Sequence, residues 1–144
     1  MKRFFIGYRP LSSDLAALFL RLIFGGLFIW TGWVKIDNYD KYIGMMQDYI
    51  GLGGRLSYNL VIFAEFFCGI LVTLGILTRL AVLPIIFTMI VVYFIALKAQ
   101  PFEQKEIALV LLVMGVVIFI MGSGRISIDY LFQNKKPSAE RRMV

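Results

Sequence analysis

Residues 56–98 read LSYNLVIFAEFFCGILVTLGILTRLAVLPIIFTMIVVYFIALK. Two apolar runs lie end to end here, Leu56 to Thr78 and Leu80 to Leu97, interrupted by Arg79 and holding one internal charge, Glu65. A bilayer core about 30 Å thick takes roughly 20 residues of helix at about 1.5 Å each, so each run is a membrane span. Working outward, Leu15 to Val34 is apolar except for Arg21, and Ile107 to Gly124 carries no charge. None of the runs alternates with period two, and in lipid every backbone polar group must be satisfied within the segment, so the spans are helices. The expected fold is all-α, a transmembrane four-helix bundle with spans at about 14–34, 57–78, 80–98 and 106–123. One membrane domain covers residues 1–133, and 134–144 form a polar, basic tail.

Composition narrows the chemistry. The 144 residues are 60% hydrophobic and 17% charged, with a formal charge of +6 that must be read against a membrane. Aromatics sit inside apolar runs, not among basic clusters, so a nucleic-acid binder is not indicated. There is no histidine and one cysteine, Cys68. Histidine-ligated metals, haem, Ser-His or Cys-His nucleophiles, cysteine metal sites and thiol exchange are therefore outside the chain's own repertoire, and no metal is expected. Carboxylate, phenol, hydroxyl, amine and guanidinium groups remain. Any electron carrier must be bound or belong to a partner, so the chain is not expected to be catalytic alone.

Lys2, Arg3, Arg9, Arg79, Arg125, Lys135, Lys136, Arg141 and Arg142 lie on one side of the spans, against Lys35, Lys41, Arg55, Lys98 and Lys105 on the other. The positive-inside rule then places both termini in the cytoplasm, and the basic tail near anionic headgroups. Met1 to Pro10 is basic and precedes the first apolar run. That run contains Arg21 and ends without a small-x-small cleavage site, so it reads as a retained helix. Between the first two spans, Tyr39, Tyr42, Ile43, Met46, Tyr49 and Ile50 recur every three or four residues, which predicts an amphipathic interfacial helix ending near Gly51.

Ionisable groups inside spans are expensive, so Arg21 and Glu65 are the leading site candidates. Arg21, Gly25, Phe28 and Gly32 share one stripe of the first helix, and Glu65, Gly69 and Thr73 one stripe of the second, so both charges face neighbouring helices through small residues. Counting rise places Arg21 about 12 Å and Glu65 about 21 Å from their shared end of the bundle. Thr88 falls near the Arg21 level, and Tyr93 and Trp30 within a turn of Glu65. The expectation is a polar layer in which Glu65 meets Tyr93, completed by Arg21, water or a ligand. Such a carboxyl suits hydrogen bonding to a quinone carbonyl or relaying a proton. The competing reading is that Arg21 and Glu65 only tie helices together. Lys35, Lys98 and Glu106 on the outer face, and Asp14, Arg79, Arg125 and Asp129 on the cytoplasmic face, read as headgroup anchors or helix-end ion pairs.

Three blocks carry a likeness to a known family. Leu20-Arg21-Leu22 with Gly25, Phe28, Gly32 and Lys35 resembles the first-helix pattern of the DoxX family of small four-helix membrane proteins. Glu65 with Gly69, then Leu74-Gly75 and Leu77-Thr78-Arg79-Leu80-Ala81, resembles its second junction. Glu106 followed by Gly122, Gly124-Arg125, Ser127 and Asp129 resembles its closing segment. The resemblance covers Leu20 to Leu131. It implies a protein of a bacterial or archaeal cytoplasmic membrane that serves a quinone-linked oxidoreductase system, with a bound quinone or a soluble oxidoreductase as partner. Many members have a histidine near the outer end of the third helix, where this chain has Lys98. The alternative is a non-enzymatic carrier, assembly or scaffold protein for a small polar solute, a lipid or a client protein. Small-residue pairs such as Ala64 and Cys68 leave a homo-oligomer open.

Overall fold

The computed structural model describes residues 13–44 and 51–134. Four long helices carry the fold, each long and apolar enough to cross a membrane: α1 (Ser13–Asp37), α3 (Gly54–Leu74), α4 (Thr78–Ala96) and α5 (Phe102–Met121). Two short helices accompany them, α2 (Tyr39–Ile43) and α6 (Ile128–Asn134). The chain is an all-α membrane bundle. Its α1 packs on α3, α3 on α4, α4 on α5, and α5 closes back on α1. Of the expected interfacial helix, Tyr39, Tyr42 and Ile43 form α2, while Met46, Tyr49 and Ile50 lie outside the described residues.

The core is built from Phe24 and Phe28 of α1, Cys68 and Val72 of α3, Ala81, Val82, Ile85 and Met89 of α4, and Ile118 of α5. Phe24, Val72, Val82 and Ile85 are fully enclosed, whereas Phe19, Trp30, Phe87, Ile107 and Ile120 stand on the outside, as helices bathed in lipid require. The small-residue stripe brings α1 and α3 together. A Cβ on Gly25 would stand 2.0 Å from the Thr73 hydroxyl oxygen and 2.8 Å from the Gly69 carbonyl oxygen, so only glycine permits this approach.

Helix α3 ends earlier than its apolar run. Gly75 takes φ +72°, and the N–H groups of Gly75 and Ile76 donate to the carbonyls of Val72 and Leu71, at 3.2 and 2.9 Å, which closes the helix in a Schellman motif. Leu77 then adopts φ +46°, an uncommon conformation for a branched residue. It is held there by Asp129, whose carboxylate accepts the Leu77 N–H at 2.9 Å and the Thr78 N–H at 3.3 Å. The first turn of α6 thus caps the start of α4. The apolar periodicity of the spans gave no signal for this element, because its role lies in one carboxylate and two turns.

Candidate functional site

The two buried charges occupy separate sites. Lys35 and Arg21 are about 21 Å apart along α1 at 1.5 Å per residue, and Glu65 pairs with Lys35. This is the only side-chain ion pair among the described residues, and it replaces the expected Glu65–Tyr93 contact. Lys35 continues the stripe of Phe28 and Gly32 and so faces α3; its long stem reaches inward from the last turn of α1. Glu65 is the better buried partner, with a side chain 5% exposed against 29% for Lys35. Tyr58, also buried, donates its hydroxyl to the Lys35 carbonyl at 2.9 Å and fixes the end of α1 against α3.

The local backbone is unusual at this point. Residues Phe63–Phe67, with Glu65 at their centre, form a π turn inside α3, and Val92–Ala96 form a second at the end of α4. A π turn adds a residue to a helical turn and recurs at functional sites. Both turns border one cavity of about 480 Å³ between α3 and α4. Leu60, Phe63, Phe87 and Val91 supply apolar walls, and Lys35, Glu65, Ser57 and Thr88 supply the polar groups. Leu60, Phe63 and Phe87 are half exposed on the lipid-facing side, so the cavity opens sideways from the bundle. Thr88 donates its hydroxyl to the Pro84 carbonyl at 2.9 Å, and Pro84, which offers no N–H, lines the same space.

Of the residues singled out from the sequence, this cavity brings together Glu65, Thr88 and Lys35. Trp30 stands on the outside of α1, 67% exposed, because two residues turn it about 200° from Phe28 and from Gly32. Tyr93 packs edge-on against Phe94 and is not among the cavity's lining residues. Lys98 accepts a hydrogen bond at its carbonyl from the Lys105 ammonium, at 2.9 Å, and Glu106 is exposed at the start of α5. Depth counting gave the levels of Trp30 and Tyr93 without their faces. Ser57 and Tyr58 were missed; only their place about two turns before Glu65 on the same helix signalled them.

Arg21 lies at the other end, 1% exposed. Its guanidinium donates to the Ala17 carbonyl and to the Ile126 carbonyl of the segment after α5. It packs flat on Gly75, where a Cβ would be 1.9 Å from the Arg21 Nη1. Nearby, Asp14 accepts the Arg125 backbone N–H at 2.9 Å, and Arg79 reaches the Ile120 carbonyl at 3.4 Å. The acidic groups expected to form ion pairs here, Asp14 and Asp129, instead accept main-chain N–H groups. A carboxylate beside unpaired amide donors gains directed hydrogen bonds, one at Asp14 and two at Asp129, whereas an exposed arginine is well solvated without it.

The DoxX family model matches residues 16–98, more than half of the chain. The chain belongs to the DoxX family. The matched region of this DoxX protein contains Arg21, Lys35, Glu65, Arg79 and Thr88 and therefore the whole polar part of the cavity. It stops before α5, so the closing segment with Asp129 lies beyond it. No curated protein and no solved structure matches the chain.

Proposed function

We propose that this DoxX protein is an integral membrane subunit of a quinone-linked redox system, which binds a quinone or a similar lipid-like ligand between α3 and α4 and serves a soluble oxidoreductase. The observation that carries the reading is the 480 Å³ cavity, apolar along its walls and ending on the Lys35–Glu65 pair. Its size lies within the range of small-molecule sites, and few convergent polar groups in an apolar pocket are what orient such a ligand. A carbonyl-bearing ring fits this lining. The Lys35 ammonium has three donors and directs one at Glu65, so it can also meet a carbonyl oxygen. Lateral opening suits a ligand that arrives from lipid. A quinone supplies reversible two-electron chemistry when bound. The chain's residues bind the ring, exclude water and hold the Lys35–Glu65 pair at its polar end. Electrons come from the partner, since this sequence has no histidine and a single cysteine.

The charge count supports a cytoplasmic location for both termini and, with the family, a bacterial or archaeal cytoplasmic membrane. The test is native mass spectrometry with lipid extraction on protein purified gently from its own membrane. Wild type should retain a quinone, and Glu65→Gln, which keeps shape and an acceptor for Lys35, should fold in equal amount and lose it. A Glu65→Gln protein that retains as much quinone as wild type refutes the site. A wild-type chain that carries neither quinone nor a soluble subunit redirects the reading to a carrier, assembly or scaffold role.

A further inference from the structure

We propose that the cleft between the start of α4 and the loop after α5 is a binding site for the phosphate of an anionic phospholipid headgroup, held by Arg79. The inference is independent of the quinone reading and concerns the opposite end of the bundle. The cleft has a volume of about 430 Å³ and is lined by Thr78, Arg79, Ser123, Gly124 and Asp129, with Leu80 and Met121 at its apolar edge.

Depth comes first. Helices α4 and α5 span 19 and 20 residues. At about 1.5 Å per residue each is about 30 Å long, the thickness of the hydrocarbon layer, so a cleft between the first residue of α4 and the last of α5 lies at phosphate level. Charge comes second. Both oxygens of the Asp129 carboxylate accept main-chain N–H groups, and among the described residues no carboxylate lies within ion-pair distance of Arg79. The Arg79 guanidinium makes one long contact, to the Ile120 carbonyl at 3.4 Å. Its remaining donors form the planar fork that matches phosphate oxygens. Gly122, at φ +74°, lets the loop lie against this group: a Cβ there would be 3.3 Å from the Arg79 Nε. Thr78, 1% exposed, forms the floor of the cleft behind this group, so Arg79 is the group that faces a bound headgroup.

The flanks favour a lipid over free phosphate. Leu80, in the cleft lining, is 63% exposed, and Ile120, next to the lining residue Met121, is 69% exposed, so apolar surface adjoins the cleft where acyl chains attached to a bound phosphate would lie. The site so placed ties one leaflet to the junction that Asp129 caps.

The experiment titrates detergent-purified, full-length protein with phosphatidylglycerol and counts lipid adducts by native mass spectrometry, with circular dichroism checking that each variant is folded. Arg79→Gln should weaken adduct formation by about tenfold, the order expected for one charge-assisted contact. Ser123→Phe, which fills the cleft without changing charge, should do the same and carries the test if Arg79→Gln fails to fold. Arg125→Gln removes an equal charge from the same end, outside the cleft lining, and should bind as wild type does. Undiminished binding by the cleft variants, or an equal loss in Arg125→Gln, overturns the proposal. Displacement of the lipid by inorganic phosphate overturns the lipid as its ligand.

Discussion

Replacing Lys35 with Met should destabilise the bundle more than replacing Glu65 with Leu, although both changes remove the same ion pair. The asymmetry follows from burial: the Glu65 side chain is 5% exposed and that of Lys35 29%. Lys35→Met strands a carboxylate inside the bundle, and breaking a buried pair in this way costs about 3 kcal/mol, the low end of the range because one side of the pair reaches solvent. In Glu65→Leu the freed ammonium swings outward on its flexible stem, so the loss falls to about 1 kcal/mol, near that of an exposed pair. The double variant holds no stranded charge and should also lose about 1 kcal/mol, leaving a coupling of about 3 kcal/mol between the positions. Unfolding free energies in mixed micelles with rising dodecyl sulfate, read by circular dichroism, give all four corners of the cycle. Equal losses in the single variants, or losses that add in the double, would refute the reasoning, since neither can arise from a pair buried so unequally.

Two further expectations concern the frame around the sites. Gly25→Ala should cost about 1–3 kcal/mol through overpacking against Thr73 and Gly69, whereas Gly26→Ala, with no atom within 4 Å of the new Cβ, should be neutral in the same unfolding assay. Asp129→Ala should cost about 2 kcal/mol, the upper range for a lost cap. It should also accelerate hydrogen exchange at the Leu77 and Thr78 amides it leaves unpaired, while amides in the middle of α1 keep their protection.

The spans were readable because lipid imposes a strong rule on composition and length, and the stripe of Arg21, Gly25, Phe28 and Gly32 because helical spacing specifies a face. All four of those residues are buried against neighbouring elements. The partner of Glu65 was not readable by depth. Rise per residue gives a level, and it assumes a regular helix, whereas Glu65 sits within a π turn and Lys35 reaches it with a long side chain. Face would have served better: Lys35 extends the buried stripe, and Tyr93 lies five residues, about 140° of turn, from Thr88. The loop after α5 and the start of α6 were legible only as residue types. Asp129 and Gly122 do their work through main-chain hydrogen bonds and backbone conformation, which apolar periodicity does not record.

The Arg21–Ile126 hydrogen bond has a bearing on biosynthesis. The two residues are 105 positions apart. At about 5–20 residues per second, α1 is made about 5–20 s before the carbonyl that its arginine will meet. Over that interval a guanidinium about 12 Å from the start of the helix has to be satisfied by headgroups and water, toward which its long side chain extends. The first span is therefore inserted with its charge turned to the membrane surface, and its arginine is enclosed only when the segment after α5 arrives. Completion of the bundle at this end is a late event in the life of the nascent protein, timed by the ribosome.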